Sequence, residues 1–407
     1  MAQRNLNIKI LIGLALVSEM CYLMIAAIPN LRLQIPLYLL CYGLVFIFYW
    51  IAAVLFCDFK RTARSGEEGT RWIKKIRRKL AEDKISSKEL ITVGLVFGVI
   101  FRLTLLFSAP SLSDDIYRYI WDGKVASQGI NPYHYAPNAH ELEPLRDTSI
   151  YPRINHKEIS TIYPPVNQLV FWGLYKFDPS VLGFKAAFLG FDILTIVVLL
   201  LILKQLKINL NQALIYVWNP LIIVEIAGSG HADIIGILLL TLALWFLITN
   251  RPLRSNFTLV LSFLTKFISI LFLPFFAMRK RENKFAFILL FIVFVTLLYL
   301  PYADAGKHLF SGLFVYADKW QANSSIFSLI KSSAKSLIPE RWIIKLMIEP
   351  AGMSPDPETI ASRGTDLALL VSKSIVTLIF TAIFLHFLIR FKKDLKKEGD
   401  FWIFKLG

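Results

Sequence analysis

An all-α bundle that crosses a membrane several times is the fold this sequence predicts, on three observations. Hydrophobic residues fill 56% of its 407 positions and its mean hydropathy is +0.56, more apolar area than one water-surrounded core absorbs. Apolar runs of about 20 residues, enough for a helix to cross a bilayer, recur along the chain. The segments between them are either strongly basic or long, polar and aromatic, as loops at a membrane surface are.

Charge and cysteine content narrow the class. The formal net charge is +16, from 45 Lys+Arg against 29 Asp+Glu. Basic loops retained on the cytoplasmic side of a membrane account for that excess, so membrane lipids are the expected partner and nucleic acid is not. Cys21, Cys41 and Cys57 fall in or beside apolar runs. They have neither metal-ligand spacing nor the pattern of a disulfide framework.

The elements follow in order. Residues 8–28 form a first span. Glu19 inside it, and Pro29 where a small-residue cleavage site would stand, mark a retained helix rather than a signal peptide. Residues 34–57 complete a hairpin. Residues 58–88 are dense in Lys and Arg and stay cytoplasmic; within them RWIKKIRRKL puts Trp72, Ile73, Ile76 and Leu80 on one stripe, an amphipathic helix for anionic headgroups. Residues 90–108 cross outward and carry Arg102. A cation inside a span reads either as part of a pathway with an anionic partner or as a snorkelling side chain.

The stretch from Ser113 to Pro165 organises the rest. It opens SDDIYRYIWDGK, closes on YPP, and carries Tyr117, Tyr119, Trp121, Tyr133, Tyr135, Tyr151 and Tyr163, residues that favour the membrane interface. Short helices lying flat on the outer surface are expected, the first over residues 114–128 and ended by Gly129. A second structured element, IYPRINHKEISTIYPP, is expected to bring Arg153, His156 and Lys157 back toward Asp114 and Asp115.

Residues 166–177 are too short to cross, and 181–203 cross inward. Residues 213–227 cross outward with a kink at Asn219-Pro220, GSGHAD makes a tight outer turn, and 234–249 return. Both flanks of 257–277 are basic, so this segment is expected to be re-entrant, broken around Thr265-Lys266, with Lys266 deep in the protein. Residues 285–302 lead to a second outer loop, 303–363, and 366–390 cross back. FWIFKLG reads as the start of a further span. The expected organisation is a hairpin over 1–57, a basic loop over 58–89, a membrane core over 90–390 and a cytoplasmic tail over 391–407.

Adjacent carboxylates with cations close by, at an outward vestibule, suit transfer of a group from a lipid-borne phosphate to a hydroxyl. That chemistry needs a base for the hydroxyl proton and cations for the departing phosphate. Asp114 or Asp115 supplies the base, since like charges this close disfavour double ionisation. The other reading of the pair is an N-cap and a first-turn acid of a helix. Arg118, Lys124, Arg153, Lys157 and Lys266 are the candidate phosphate clamps.

Taken in order, SDDIYRYIWDGKVASQGINPYHYAP, IYPP, NPLIIVEIAGSGHADIIGILLL, LTKFISILFLPFF and WQANSSIF resemble the polytopic glycosyltransferases of the GT-C class. Within it they are most similar to bacterial polyprenyl-phosphate-mannose-dependent mannosyltransferases, over roughly residues 90–390. The resemblance implies an inverting single displacement, with an acidic residue of the first outer loop as base, here Asp114 or Asp115. It implies a polyprenyl-phosphate sugar as donor, a glycan or glycolipid acceptor, and neither cofactor nor obligatory metal.

His231 and Asp233 match the family's Gly-His-x-Asp turn, either as sugar-binding residues or as a structural pair. Lys266 matches a lysine that meets the donor phosphate, and Trp320 and Asn323 match an acceptor-side motif. Arg102, His156 and Tyr163 are further candidates for the donor side. Two spans precede the matching core, and a His-Pro-Trp-Tyr-like motif of the family is not found. A different class of function, a transporter or flippase of polyprenol-linked sugar, would use Arg102, Glu225 and Lys266 as a charged path.

Overall fold

The computed structural model describes residues 6–57, 87–279, 283–319 and 325–398. The basic amphipathic stretch, Trp320, Asn323 and FWIFKLG lie outside the described residues. The described elements are all helical, and six of the helices are long and apolar enough to cross a membrane, seven if one bent pair counts as a span. The protein is an integral membrane protein of the expected all-α class. It divides into two compact units, Met1–Val315 and Tyr316–Gly407.

In the first unit, α1 (Leu6–Ala27) and α2 (Ile35–Phe56) form the expected hairpin. Pro29 breaks the run, Asn30 accepts the amide of Arg32 in the short 3₁₀ turn, and Pro36 begins α2. The hairpin packs on α3 (Ser87–Leu106) through one shared core that holds Leu11, Tyr22, Cys41, Phe101 and Trp218.

One face of α3 carries Gly94, Gly98 and Arg102, spaced four residues apart. A Cβ on Gly98 would stand 2.2 Å from a Val217 methyl. Such small residues let helix backbones close up inside a membrane. A full turn further along α3, Arg102 then reaches across to Val217.

The long loop after α3 supplies α4 (Asp115–Ser127) and, after a long irregular stretch, α5 (Pro165–Phe177). The helix starts and stops where the sequence placed it, but it is more enclosed than a helix resting on a surface. Ile116, Tyr119, Ile120, Trp121 and Val125 are all buried, and they pack with Phe171, Phe184 and Phe188. Apolar residues on more than one face of α4 leave no purely solvated side, so α5 and α6 (Val181–Gln205) cover it.

The Asn219-Pro220 kink is a real break. The segments Leu210–Val217 (α7) and Pro220–Gly228 (α8) meet at 48°. Asn219 accepts the amide of Leu221 and Pro220 occupies the first turn, which starts a second helix where the first has stopped. The stretch Ile223–Gly228 is wound as a π-helix, a rare geometry that collects at functional sites.

Beyond it run α9 (Asp233–Ile248), α10 (Pro252–Phe263), α11 (Leu273–Arg279) and α12 (Lys284–Tyr299). The break after α10 falls at Leu264–Lys266, as the basic flanks implied. There the carbonyl of Leu264 accepts the amide of Val166, and Asn167 donates to the carbonyl of Thr265. In the second unit, α13 (Ser325–Leu337) packs on α14 (Pro357–Glu398), and Ile343 and Ile348 of the segment between them cluster with Leu367 of α14.

Candidate active site

The two carboxylates that the sequence left equivalent have separate partners. Asp114 is the N-cap residue of α4, yet its side chain makes no capping bond. It pairs instead with Arg32 of the α1–α2 turn, Nη1 to Oδ2 at 3.0 Å. Asp115, the first helical residue, accepts a hydrogen bond from Asn155 Nδ2 at 3.0 Å, and its other oxygen lies 3.9 Å from His231 Nε2. Neighbouring residues at a helix start diverge by about 100°, which is why a continuous DD pair serves two sites.

His231 is held from the far side by Glu225. Its Nδ1 stands 2.7 Å from Glu225 Oε2, and its backbone N–H donates to the carbonyl of Glu225 at 3.0 Å. The π-helical turn brings those two residues face to face. Gly230 follows with φ +73, and a Cβ there would meet Ile116 at 2.6 Å, so both the left-handed turn and the approach to α4 call for glycine. Burial works against an imidazolium at His231, but Glu225, Asp115 and Asp233 outweigh it and raise its pKa above the ordinary value.

Asp233, at the start of α9, pairs with Lys266. The sequence put Lys266 deep in the protein. In the structure its side chain is 61% exposed, because the α10 break carries it to the mouth of the site rather than into the interior. Below this cluster lies an aromatic floor: Tyr119 stacks on Phe171 at 4.7 Å, and Tyr163 meets both edge-on. Burial, and after it the charge of Asp115, keeps the Tyr163 phenol protonated well above its usual range.

The remaining predicted residues are engaged elsewhere. Arg118 is buried against Asp122 at 2.8 Å, and Asp122 also accepts Thr161 and Gln168. Lys124 reaches Asp147 at 2.9 Å, which fixes the loop beyond α4. Arg153 lies over the ring of Tyr117 and donates to its hydroxyl at 3.2 Å. Lys157 donates to the carbonyl of Pro152, and His156 stands 3.6 Å from Glu158. These contacts tie down the loop. Among the described residues, no three His, Cys, Asp or Glu side chains converge as a metal ion requires.

Arg102 is not at the mouth. It has no exposed surface, and it bonds Asp192 at 2.6 Å and the carbonyls of Val217 and Gly98 at 2.6 and 2.9 Å. Tyr216 donates to the other oxygen of Asp192. The guanidinium satisfies the last carbonyl of α7 where the chain breaks, a need no neutral side chain meets as well in an apolar interior.

Sequence reasoning missed Asn155 and Arg32. Asn155 sits amid the more conspicuous Arg153, His156 and Lys157. Arg32 carried a signal, since the turn between the first two spans is expected on the outer side, where the loop-charge rule disfavours a cation.

Residues 70–281, just over half of the chain and including every member of this cluster except Arg32, match the family model described as MptA_B family, alpha-(1->6)-mannopyranosyltransferase, N-terminal domain. No curated protein and no solved structure matches the chain.

Proposed function

The chain belongs to the MptA_B family of alpha-(1->6)-mannopyranosyltransferases, and from that membership together with the site geometry we propose that Asp115 is its catalytic base. The enzyme is a glycosyltransferase. On this reading it moves mannose from a polyprenyl-phosphate donor to a hydroxyl of a glycan or glycolipid, at the extracytoplasmic face of the membrane.

The single observation that carries the choice of Asp115 is its position between Asn155 and the Glu225–His231 pair, while Asp114 is neutralised by Arg32. Asn155 fixes one carboxylate oxygen, leaving the other to accept a proton. The acceptor O–H gives that proton to Asp115 as its oxygen attacks C1 of the mannose. The C1–O bond to phosphate breaks at the same time, and its electron pair leaves with the phosphate.

Lys266 is the exposed cation at hand for that phosphate, which would compete with Asp233 for it. The carboxylates around His231 favour its protonated form, which lowers the repulsion between Asp115 and an incoming phosphate. Tyr163, braced edge-on by the buried Tyr119 and Phe171, is the partly exposed ring that a sugar face can meet. A single displacement inverts C1, so an alpha product requires a beta-linked donor.

The test uses purified protein in lipid nanodiscs, radiolabelled beta-linked polyprenyl-phosphate mannose and octyl alpha-mannoside. Formation of an alpha-(1→6)-linked dimannoside that is lost in Asp115→Asn supports the reading. Transfer from the alpha-linked donor only, or full transfer by Asp115→Asn, contradicts it.

A further inference from the structure

The turn of the N-terminal hairpin is fastened to the loop that carries the two aspartates, and nothing in the family match reaches it. Leu31 donates its amide to Ser111 Oγ at 3.0 Å, Arg32 Nη2 donates to the carbonyl of Leu112 at 3.1 Å, and Arg32 Nη1 meets Asp114. Three contacts across some eighty residues of sequence make one wall of two separate segments. Against that wall opens a cavity of about 570 Å³, lined among others by Asn30, Arg32, Asp114, Tyr117, Arg153 and Asn155. Its volume falls within the range of small-molecule sites.

Charge decides what fits there. Arg32 is neutralised by Asp114, and Arg153 is spent on the ring and hydroxyl of Tyr117. An anion would have to displace a carboxylate already in place, whereas Lys266, on the Asp233 side of the site, is not part of the lining. What the cavity presents is a close mixture of donors and acceptors: guanidinium, two carboxamides and a carboxylate. Neighbouring sugar hydroxyls, each both donor and acceptor, match such a mixture, and a carboxylate with a guanidinium can take two of them at once.

The cavity also communicates with the proposed base. Asn155 lines it and donates to Asp115 Oδ1, so a hydroxyl held there lies one side chain away from the proton acceptor. We infer that this cavity is the acceptor subsite and takes the neutral, hydroxyl-rich end of a mannoside. The α1–α2 turn, through Arg32 and Asn30, thereby selects the acceptor. The inference rests on the transferase reading above and assigns the opposite side of Asp115 to the donor.

Two experiments test it on the full chain in nanodiscs. Kinetics with octyl alpha-mannoside and alpha-(1→6)-mannobiose compare wild type with Arg32→Ala and Asn30→Ala. The expected result is an acceptor KM raised about tenfold, with the KM for polyprenyl-phosphate mannose unmoved, since one or two hydrogen bonds to charged or polar partners are lost. An unchanged acceptor KM in both variants overturns the inference, as does an equal rise in both KM values.

Photocrosslinking of the wild type with a diazirine-bearing alpha-mannoside needs no folded variant. Label at residues 29–32 or 152–155, competed away by mannobiose, supports the subsite; label confined to other segments overturns it. A wild type that crosslinks there yet transfers no mannose would refute the transferase reading while leaving the binding site standing.

Discussion

Glu225 grips His231 twice, through the ring at 2.7 Å and through the backbone N–H at 3.0 Å, so the imidazole is fixed in direction. Its other nitrogen faces Asp115. A histidine so held behaves as part of the carboxylate cluster.

Because the folded pKa of His231 is raised above the ordinary 6.5, its contribution to stability has a definite sign. It is fully present below the unfolded value and is lost as pH climbs through the raised folded value. Melting temperature of the wild type, followed between about pH 6 and about pH 9, should therefore fall more steeply than that of His231→Gln. Parallel curves would show that the imidazole is not cationic in this cluster.

Gly230→Ala strains a left-handed turn and pushes toward Ile116. The turn carries His231, so activity should fall further than stability does, with about 1–3 kcal/mol lost in unfolding and kcat reduced at least tenfold. Denaturation and turnover measured on the same preparation check this. A variant that melts early but turns over normally would detach the turn from the chemistry.

Arg102→Met leaves Asp192 charged and unpaired in the interior and the carbonyl of Val217 without its donor. Destabilisation of about 3–5 kcal/mol is expected. Arg102→Met with Asp192→Leu should recover part of that loss, since the stranded charge is gone. Equal instability of the single and double variants would point instead to the Val217 and Gly98 carbonyls as what Arg102 serves.

Lys266→Met removes the exposed cation of the α10 break without emptying a core. The KM for the lipid-phosphate donor should rise about tenfold or more, the worth of a charge-assisted bond to phosphate, and the acceptor KM should stay in place. A variant with an unaltered donor KM would remove Lys266 from the phosphate.

Much of this architecture was legible in the chain. Spans announce themselves by length and apolarity, the Asn219-Pro220 break by a proline that cannot continue a helix, and the Thr265-Lys266 interruption by the basic flanks on both sides of its segment. What sequence could not supply was pairing at a distance. Arg102 looked like a ligand-binding cation until Asp192, ninety residues away, turned out to hold it. Arg118 read as a phosphate clamp until Asp122 took it one turn along the same helix. Asp114 and Asp115 were indistinguishable because only the fold brings Arg32 to one and Asn155 with His231 to the other.

The base assignment is tested most directly by single-turnover transfer from polyprenyl-phosphate mannose in Asp115→Asn and Asp114→Asn, side by side at saturating acceptor. Asp115→Asn should lose about 10²–10⁴ in rate, while Asp114→Asn, which disturbs only the Arg32 wall, should keep most of it once acceptor saturates. A collapse in Asp114→Asn with near-normal transfer in Asp115→Asn would contradict the account.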